Sequence, residues 1–263
     1  MHFTKYNGLG NDFIFLDGSV AQGVQDPAVL ARTLCNRRTG IGADGLILLL
    51  PSDKADVRMR IINSDGSEAE MCGNASRCVP LHLLTSSQTT KKQITLDTLA
   101  GLIHTEVLDA TKGLVRVNMG TPREIVSPFA VKTPSHTFEG TKVSMGNPHF
   151  VVFVENAENF PVAELGPMIE THPVFPQKTN VEFVQILDKH TVRMRVWERG
   201  AGITQACGTG ACATAAACVL NGVTDPHVTV RLDGGELQIA WPERKDIWMT
   251  GPATRVFEGD ILL

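Results

Sequence analysis

The chain has 263 residues, of which 43% are hydrophobic and 20% are charged, and its formal net charge is −4. This length suits one large domain or two ordinary ones. The charges form no block of one sign, which argues against a nucleic-acid-binding surface. The N-terminal sequence MHFTKYNGLGND lacks the basic and then apolar order of a secretory signal, and the apolar runs fall far below the ~20 residues of a membrane span. We therefore expect a cytoplasmic protein without nucleic-acid or membrane partners.

The two halves of the chain resemble each other. Residues 53–74, which end in MCGN, align without a gap on residues 188–209, which end in ACGT. A Gly-Asn pair precedes an apolar run in both halves, at Gly10-Asn11 and at Gly146-Asn147. Self-similarity in the same order along the chain indicates duplication of one unit. We expect two pseudo-symmetric lobes, residues 1–120 and 121–251.

Within each half the pattern is mostly that of strands. Residues 57–62 and 192–197 alternate apolar and polar side chains, the period of a half-buried strand. The sequence predicts few helices, and these cover residues 26–38, 74–84, 162–171 and 208–220. Pro80 falls inside the second of these helices, and Asn221-Gly222 is a stop signal for the last. A stripe rich in alanine in the last helix predicts that it packs on all sides, inside a strongly curved sheet.

Two of the six cysteines stand in equivalent places in the halves. Cys72 and Cys207 each precede a glycine, a short polar residue and the predicted start of a helix. Helix N-termini stabilise negative charge, so we expect lowered thiol pKa values at both. The other four, which are Cys35, Cys78, Cys212 and Cys218, are interpreted as small buried hydrophobes. Disulfides and zinc are the alternatives, although no C-x2-C or H-x3-H pair occurs.

This arrangement suits proton transfer at carbon. If the two cysteines approach one small molecule from opposite sides, one thiolate removes a proton and the other thiol delivers one. The backbone N–H groups of the two helix N-termini would grip a carboxylate next to the reacting carbon. No lysine lies in an equivalent motif, and we expect no cofactor and no metal. The sequence thus indicates a cofactor-independent epimerase or racemase.

With these residues in view, the chain resembles the diaminopimelate epimerase family over essentially its whole length. The motifs that carry the resemblance are GLGNDF, MCGN, TLAG, GNPHFVVFV, TNVEFVQ, ERGAG and ACGTGACA. The resemblance implies an α+β fold of two lobes, each a rolled, mostly antiparallel sheet around a central helix, with residues 252–263 returning to the first lobe. It also implies interconversion of LL- and meso-diaminopimelate on the bacterial route to lysine and peptidoglycan.

The resemblance further assigns the site. It makes Cys72 and Cys207 the acid/base thiols, and His149 and Glu198 groups that tune them. The implied substrate-binding residues are Asn11, Asn63, Gly73, Asn74, Asn147, Asn180, Glu198, Arg199, Gly208 and Thr209. The expected partner is a small-molecule substrate, an amino acid, and a homodimer is left open.

Three positions depart from the family pattern. Members often have glycine at the position of Ala75, glutamate at that of Ile203 and glutamine at that of Gly45. The two-thiol chemistry does not depend on these residues, but racemases of other amino acids share the same thiols. A related amino-acid racemase is therefore the alternative function, and a thiol redox or zinc-binding protein is the alternative from another class.

Overall fold

The computed structural model describes residues 1–133 and 136–262, so that Pro134, Ser135 and Leu263 lie outside the described residues. The chain divides into two compact units. Unit 1 comprises Met1–Val117 and Gly251–Leu263, and unit 2 comprises Asn118–Thr250. The sequence-based boundaries stand at 120/121 and 251/252, and the segment expected to return to the first lobe includes Leu263.

Unit 1 is built on strands that surround one long helix. Its strands are β1 (His2–Gly8), β2 (Asn11–Leu16), β3 (Gly45–Leu50), β4 (Val57–Asn63), β5 (Glu68–Ala69), β6 (Gln93–Thr98), β7 (Gly101–Asp109) and β8 (Leu114–Asn118), and β18 (Thr254–Asp260) joins them from the far end of the chain. Its helices are α1 (Gly18–Gln22), α2 (Pro27–Leu34) and α3 (Gly73–Thr85).

Unit 2 repeats this order of elements. Its strands are β9 (Arg123–Lys132), β10 (Thr137–Ser144), β11 (Pro148–Phe153), β12 (Asn180–Ile186), β13 (Thr191–Glu198), β14 (Gly202–Ile203), β15 (His227–Leu232), β16 (Gly235–Ala240) and β17 (Trp248–Pro252). Its helices are α4 (Val162–Glu170) and α5 (Gly208–Leu220), with a short 3₁₀ helix at Pro242–Arg244.

Strand pairing follows one scheme in both units. In unit 1 the order across the sheet is β18-β1-β2-β3-β4-β6-β7-β8, with parallel pairs only at β2–β3 and β4–β6 among the described residues. In unit 2 it is β9-β10-β11-β12-β13-β15-β16-β17, and within the described ranges the parallel pairs are β11–β12 and β13–β15. The parallel pairs fall at the same places in the two orders. The duplication read from the sequence is thus a duplication of topology, and the predicted fold class is confirmed.

The central helix of each unit begins at the cysteine that the sequence singles out. α3 packs against β1, β6, β7 and β18, and α5 packs against β10 to β13, β15 and β16. α5 can sit inside a tightly rolled sheet because small residues fill it, with Ala211, Ala213, Ala216 and Ala217 fully buried. Pro80 lies within α3 without ending it.

Two helix ends show what local sequence does and does not determine. α5 ends as predicted, because Gly222 takes a positive φ of 70° and the N–H of Val223 donates to the carbonyl of Cys218. The helix predicted for residues 26–38 ends at Leu34, so its predicted C-terminus is wrong. The Asn36 side chain accepts hydrogen bonds from the N–H groups of Arg38 and Thr39, which favours a turn over a further helical turn. In the described part of the chain, no helix has the length and hydrophobicity to cross a membrane.

Candidate active site

Cys72 and Cys207 are the N-cap residues of α3 and α5. Their backbones are extended, with φ and ψ of −141° and 116° at Cys72 and −122° and 108° at Cys207. Gly73 and Gly208 follow as the first helical residues, and both are buried. The predicted place of both thiols at a helix N-terminus is confirmed. The other four cysteines are free and buried, as expected.

In unit 1, an asparagine pair surrounds the Cys72 thiol. Asn11 Oδ1 accepts a hydrogen bond from Asn74 Nδ2 at 3.2 Å and one from Cys72 Sγ at 3.7 Å. Asn11 comes directly after Gly10, whose positive φ of 89° lets the chain turn from β1 into β2. Asn74 is buried in the first turn of α3. The structure therefore brings three residues of the predicted site together.

Behind Asn11 lies an ionic network that the sequence did not reveal. Asn11 Nδ2 donates to Asp44 Oδ2 at 2.8 Å, and the same carboxylate accepts a hydrogen bond from Arg37 at 2.9 Å. Arg37 also pairs with Asp12, which pairs in turn with the buried Lys5 at 2.7 Å. Burial opposes ionisation of Asp12, but hydrogen bonds from Arg37 and Lys5 prevail and lower its pKa to about 2. This network fixes the orientation of the Asn11 amide.

Asn63 lies at the C-terminal end of β4, opposite Gly45 of β3. Its Nδ2 donates to Ser67 Oγ at 2.9 Å, within the turn that leads to β5. At Gly45 an added Cβ would lie 3.2 Å from the carbonyl oxygen of Ile62, so a side chain there would press on β4. The glycine that departs from the family pattern therefore leaves room beside Asn63.

In unit 2, polar groups converge on Cys207. Its Sγ lies 3.6 Å from Thr209 Oγ1, and its thiol is hydrogen-bonded to the carboxylate of Glu198. Glu198 also accepts a hydrogen bond from Thr204 Oγ1. Burial raises the pKa of Glu198 against the lowering effect of these hydrogen bonds. A carboxyl group with a raised pKa beside a thiol is suited to exchange a proton with it.

A buried histidine–glutamate pair stands behind Thr209. His149 Nδ1 lies 2.7 Å from Glu182 Oε1, and both side chains are completely buried. His149 Nε2 lies 3.0 Å from Asn147 Oδ1, and Asn147 Nδ2 donates to Thr209 Oγ1 at 3.3 Å. Asn147 and His149 thus belong to the Cys207 half of the site. Glu182 was missed, although a charged residue in the apolar run NVEFVQI could have indicated a buried ion pair.

Asn180 and Arg199 form a second contact in unit 2. Asn180 Oδ1 accepts a hydrogen bond from the N–H of Arg199 at 2.9 Å, and its Nδ2 donates to the carbonyl of Pro148. The guanidinium of Arg199 is exposed and donates to the carbonyl of Gln177 at 3.1 Å. Glu170 supports the same turn, because its carboxylate accepts from the N–H of Gly200. An exposed guanidinium held on a rigid turn is available to a carboxylate.

The expectation of a lowered thiol pKa is wrong for Cys207. Burial raises its pKa well above the ordinary value, and the carboxylates of Glu198 and Glu182 raise it further. The hydrogen bond with Thr209 lowers it, but by less. Desolvation therefore outweighs the helix N-terminus, and Cys207 is a thiol in this state.

The other two departures from the family pattern lie near the cysteines along the chain. Ala75 is completely buried in the first turn of α3. Ile203 is 41% exposed in β14, where it pairs with Trp197 and precedes Thr204. Among residues 1–133 and 136–262, no cluster of three or more His, Cys, Asp or Glu side chains could hold a metal ion.

Comparison of the sequence with known families and proteins gives one answer. The family model described as diaminopimelate epimerase matches residues 3–125 and 141–256. A diaminopimelate epimerase of Methanococcus maripaludis is 49% identical over 276 aligned residues, which cover 99% of each chain. That of Pelotomaculum thermopropionicum is 50% identical over 275, with 99% of this chain and 98% of the relative covered.

Solved structures share the fold at low sequence identity. A phenazine biosynthesis protein of the PhzF family from Bacillus anthracis superposes with a TM-score of 0.78 at 17% identity, covering 100% of this chain and 99% of that one. A hydroxyproline epimerase from Agrobacterium vitis gives 0.72 at 19% identity, with coverages of 98% and 91%. Together with the two N-capping cysteines and the matched motifs, these comparisons show that the chain belongs to the diaminopimelate epimerase family.

Proposed function

We propose that the chain interconverts LL-diaminopimelate and meso-diaminopimelate by proton transfer at the α-carbon, with Cys72 and Cys207 as the two acid/base groups and without a cofactor. The observation that carries the proposal is the repeated geometry of a cysteine that caps a central helix in each unit. The near 50% identity with full-length relatives named for this activity supports the choice of substrate.

The first few N–H groups of each helix have no intrahelical carbonyl to bind. In α3 the intrahelical hydrogen bonds begin with the N–H of Ser76, and in α5 with that of Ala211. The N–H of Gly210 is hydrogen-bonded to Cys207 Sγ. The N–H groups of Gly208 and Thr209, with those at the start of α3, are therefore the natural ligands for a carboxylate next to the reacting carbon. When the α-proton leaves, negative charge spreads into that carboxylate, and fixed donors lower the barrier; one well-placed donor contributes about 2.7–4 kcal/mol in acyl-transfer enzymes.

The proton on Cys207 has a defined acceptor. The thiol donates to Glu198, whose raised pKa makes that carboxyl a suitable proton store when Cys207 must become the base. In the opposite direction the protonated Cys207 delivers its proton to carbon. Asn11 holds the Cys72 thiol in the corresponding place in unit 1.

The second amino-acid head of diaminopimelate requires its own ligands. We assign it to Asn63, Asn180 and Arg199, because a guanidinium binds a carboxylate in two parallel hydrogen bonds. A substrate with a single head would leave Arg199 without a partner. We further propose a cytoplasmic location, which suits six free thiols, and a homodimer as the assembly.

The decisive experiment follows isotope entry at the α-carbon in deuterated water. The protein, freed of metal and cofactors, is incubated with LL-diaminopimelate and separately with a panel of single-headed amino acids. We expect deuterium to enter diaminopimelate alone, and we expect neither Cys72→Ser nor Cys207→Ser to convert it into the epimer. Exchange into a single-headed amino acid in preference to diaminopimelate would identify a different racemase. Epimerisation that survives either substitution would refute the two-thiol mechanism.

A further inference from the structure

Glu182 is a buried carboxylate whose charge requires compensation. It lies in β12, between β11 and β13, and its side chain is 0% exposed. Its Oε2 is buried and has no hydrogen-bond partner among the described residues. A carboxylate in such a place stays ionised only beside a cation. His149, whose Nδ1 lies 2.7 Å away, is the basic side chain that pairs with it.

Both ring nitrogens of His149 face acceptors. Nδ1 faces the carboxylate of Glu182, and Nε2 faces Asn147 Oδ1 at 3.0 Å. A neutral imidazole has one N–H and a charged imidazole has two. The contact of Asn147 with Thr209 Oγ1 fits either orientation of the amide, because a hydroxyl both donates and accepts. The buried charge of Glu182 favours the doubly protonated ring, and the Asn147 oxygen that faces Nε2 is the acceptor that this ring requires.

The charged ring gives the hydrogen-bond chain a direction. His149 donates to Asn147, Asn147 donates to Thr209, and the Thr209 hydroxyl proton is left to point at Cys207 Sγ. The thiol of Cys207 donates in turn to Glu198. If the ring were neutral and Nε2 were an acceptor, the amide of Asn147 would flip so that Nδ2 donates to Nε2 and Oδ1 faces Thr209. Thr209 would then donate to that amide, and the sulfur would lose a donor.

We propose that Glu182 is a positioning residue for Cys207: by keeping His149 doubly protonated, it directs the Thr209 hydroxyl to the sulfur and favours the thiolate during turnover. The titratable groups that act directly on Cys207 are Glu198 of β13 and Glu182 of β12, and His149 of β11 is paired with Glu182. The ionised Glu182 and the charged His149 together carry no net charge, and neither do the new amide and a neutral His149 in Glu182→Gln. The wild type and this variant therefore differ in the direction of the hydrogen-bond chain and not in net charge.

The test combines spectroscopy with kinetics on the full chain. In ¹⁵N spectra, the His149 signals are identified by their loss in His149→Gln. We expect both ring nitrogens to be protonated at neutral pH in the wild type and one in Glu182→Gln. With LL-diaminopimelate, the variant should lose about tenfold in kcat, the usual cost of a lost hydrogen bond to a charged group. KM should stay within about twofold of the wild-type value. The acidic limb of the pH profile of kcat/KM should move to higher pH by about one unit.

The control is Glu106→Gln, which removes a carboxylate from the ion pair with Arg116 in unit 1. It should leave the His149 signals and the pH profile unchanged. A neutral His149 in the wild type overturns the proposal, and this measurement decides alone if Glu182→Gln does not fold. The proposal is also overturned if the acidic limb of the pH profile of kcat/KM stays in place or moves to lower pH. A move to lower pH is what the loss of the negative charge of Glu182 near Cys207 would cause by itself. The kinetic part of the test rests on the proposed function, whereas the ¹⁵N spectra do not. A wild type that is inactive on diaminopimelate but has a doubly protonated His149 would refute the substrate assignment and not the role of Glu182 in keeping His149 charged.

Discussion

Gly210 offers a sharp test of how the Cys207 half-site is packed. It lies in the first turn of α5, and a Cβ at this position would lie 2.7 Å from Glu182 Oε1 and 3.2 Å from Cys207 Sγ. Favourable contacts between heavy atoms lie at about 3.5–4.0 Å, so in Gly210→Ala the carboxylate and the sulfur must both move away from the added Cβ. Both groups are buried, so neither can move out into solvent without disturbing its neighbours.

The expected magnitude combines two opposed effects. Overpacking of a buried site costs about 1–3 kcal/mol, while alanine in place of a helical glycine gains about 0.5–1 kcal/mol. The free energy of unfolding should therefore fall by about 0–2.5 kcal/mol. Activity should fall further, by a factor of up to about 10², because relief of these contacts displaces Cys207 and Glu182, and a misplacement of about 1 Å in an active site costs about that factor.

The assay compares urea unfolding with kcat/KM for LL-diaminopimelate in the same preparation. Gly23→Ala is the control, since Gly23 caps α1 in ordinary right-handed conformation and its Cβ would meet only the backbone, at 3.3 Å or beyond. This control should retain wild-type kinetics. A Gly210→Ala enzyme with wild-type kcat/KM would show that Cys207 and Glu182 tolerate a Cβ at Gly210 without leaving their working positions.

Three further predictions concern binding and stability. Arg199→Ala should raise KM for diaminopimelate by about 10-fold or more with the fold intact, because the distal carboxylate loses its guanidinium. Asp44→Ala should lower kcat/KM severalfold without affecting the Cys207 half-site, because the Asn11 amide loses its acceptor. Asp12 has an ordinary pKa of 3.8, lowered to about 2 on folding, so its stabilising contribution is complete above pH 3.8 and disappears as the pH falls towards 2. Urea midpoints of the wild type should drop across that interval, and those of Asp12→Asn should drop less.

Each of these has a contrary result. Wild-type KM in Arg199→Ala would point to a single-headed substrate. Unchanged kcat/KM in Asp44→Ala would mean that the turn at Gly10 alone orients Asn11. Equal acid sensitivity of the wild type and Asp12→Asn, measured by circular dichroism, would remove Asp12 from the groups that couple folding to pH.

The features that the sequence predicted well are those determined by residues close together in the sequence. α5 begins and ends where the Cys-Gly start and the Asn221-Gly222 stop place it, because caps are local hydrogen-bonding devices. The strand alternation at residues 57–62 and 192–197 is likewise local, and it is confirmed at β4 and β13. The matching order of elements follows from the repeat.

The features that it missed depend on tertiary packing. The pKa of Cys207 rises because strands bury it beside two carboxylates, and this burial cannot be seen from the helix terminus alone. Glu182 stands in a run of apolar residues, but only the pairing of β11 with β12 shows that His149 is its partner. Asp44 supports Asn11 across more than thirty residues of sequence, through a turn whose geometry is set by the strands on either side.

The composition of unit 1 constrains how the protein is made. Its sheet takes β1 from the start of the chain and β18 from residues that are translated only after all of unit 2, and these two strands pair with each other. Unit 2 is continuous, so it has all its strands while β1 still lacks a neighbour on one side. During synthesis one edge of β1 therefore stays unpaired until β18 has been translated, and an unpaired strand edge can initiate aggregation. Overexpression should be most vulnerable at this stage, and chaperones that shield nascent chains should raise the yield.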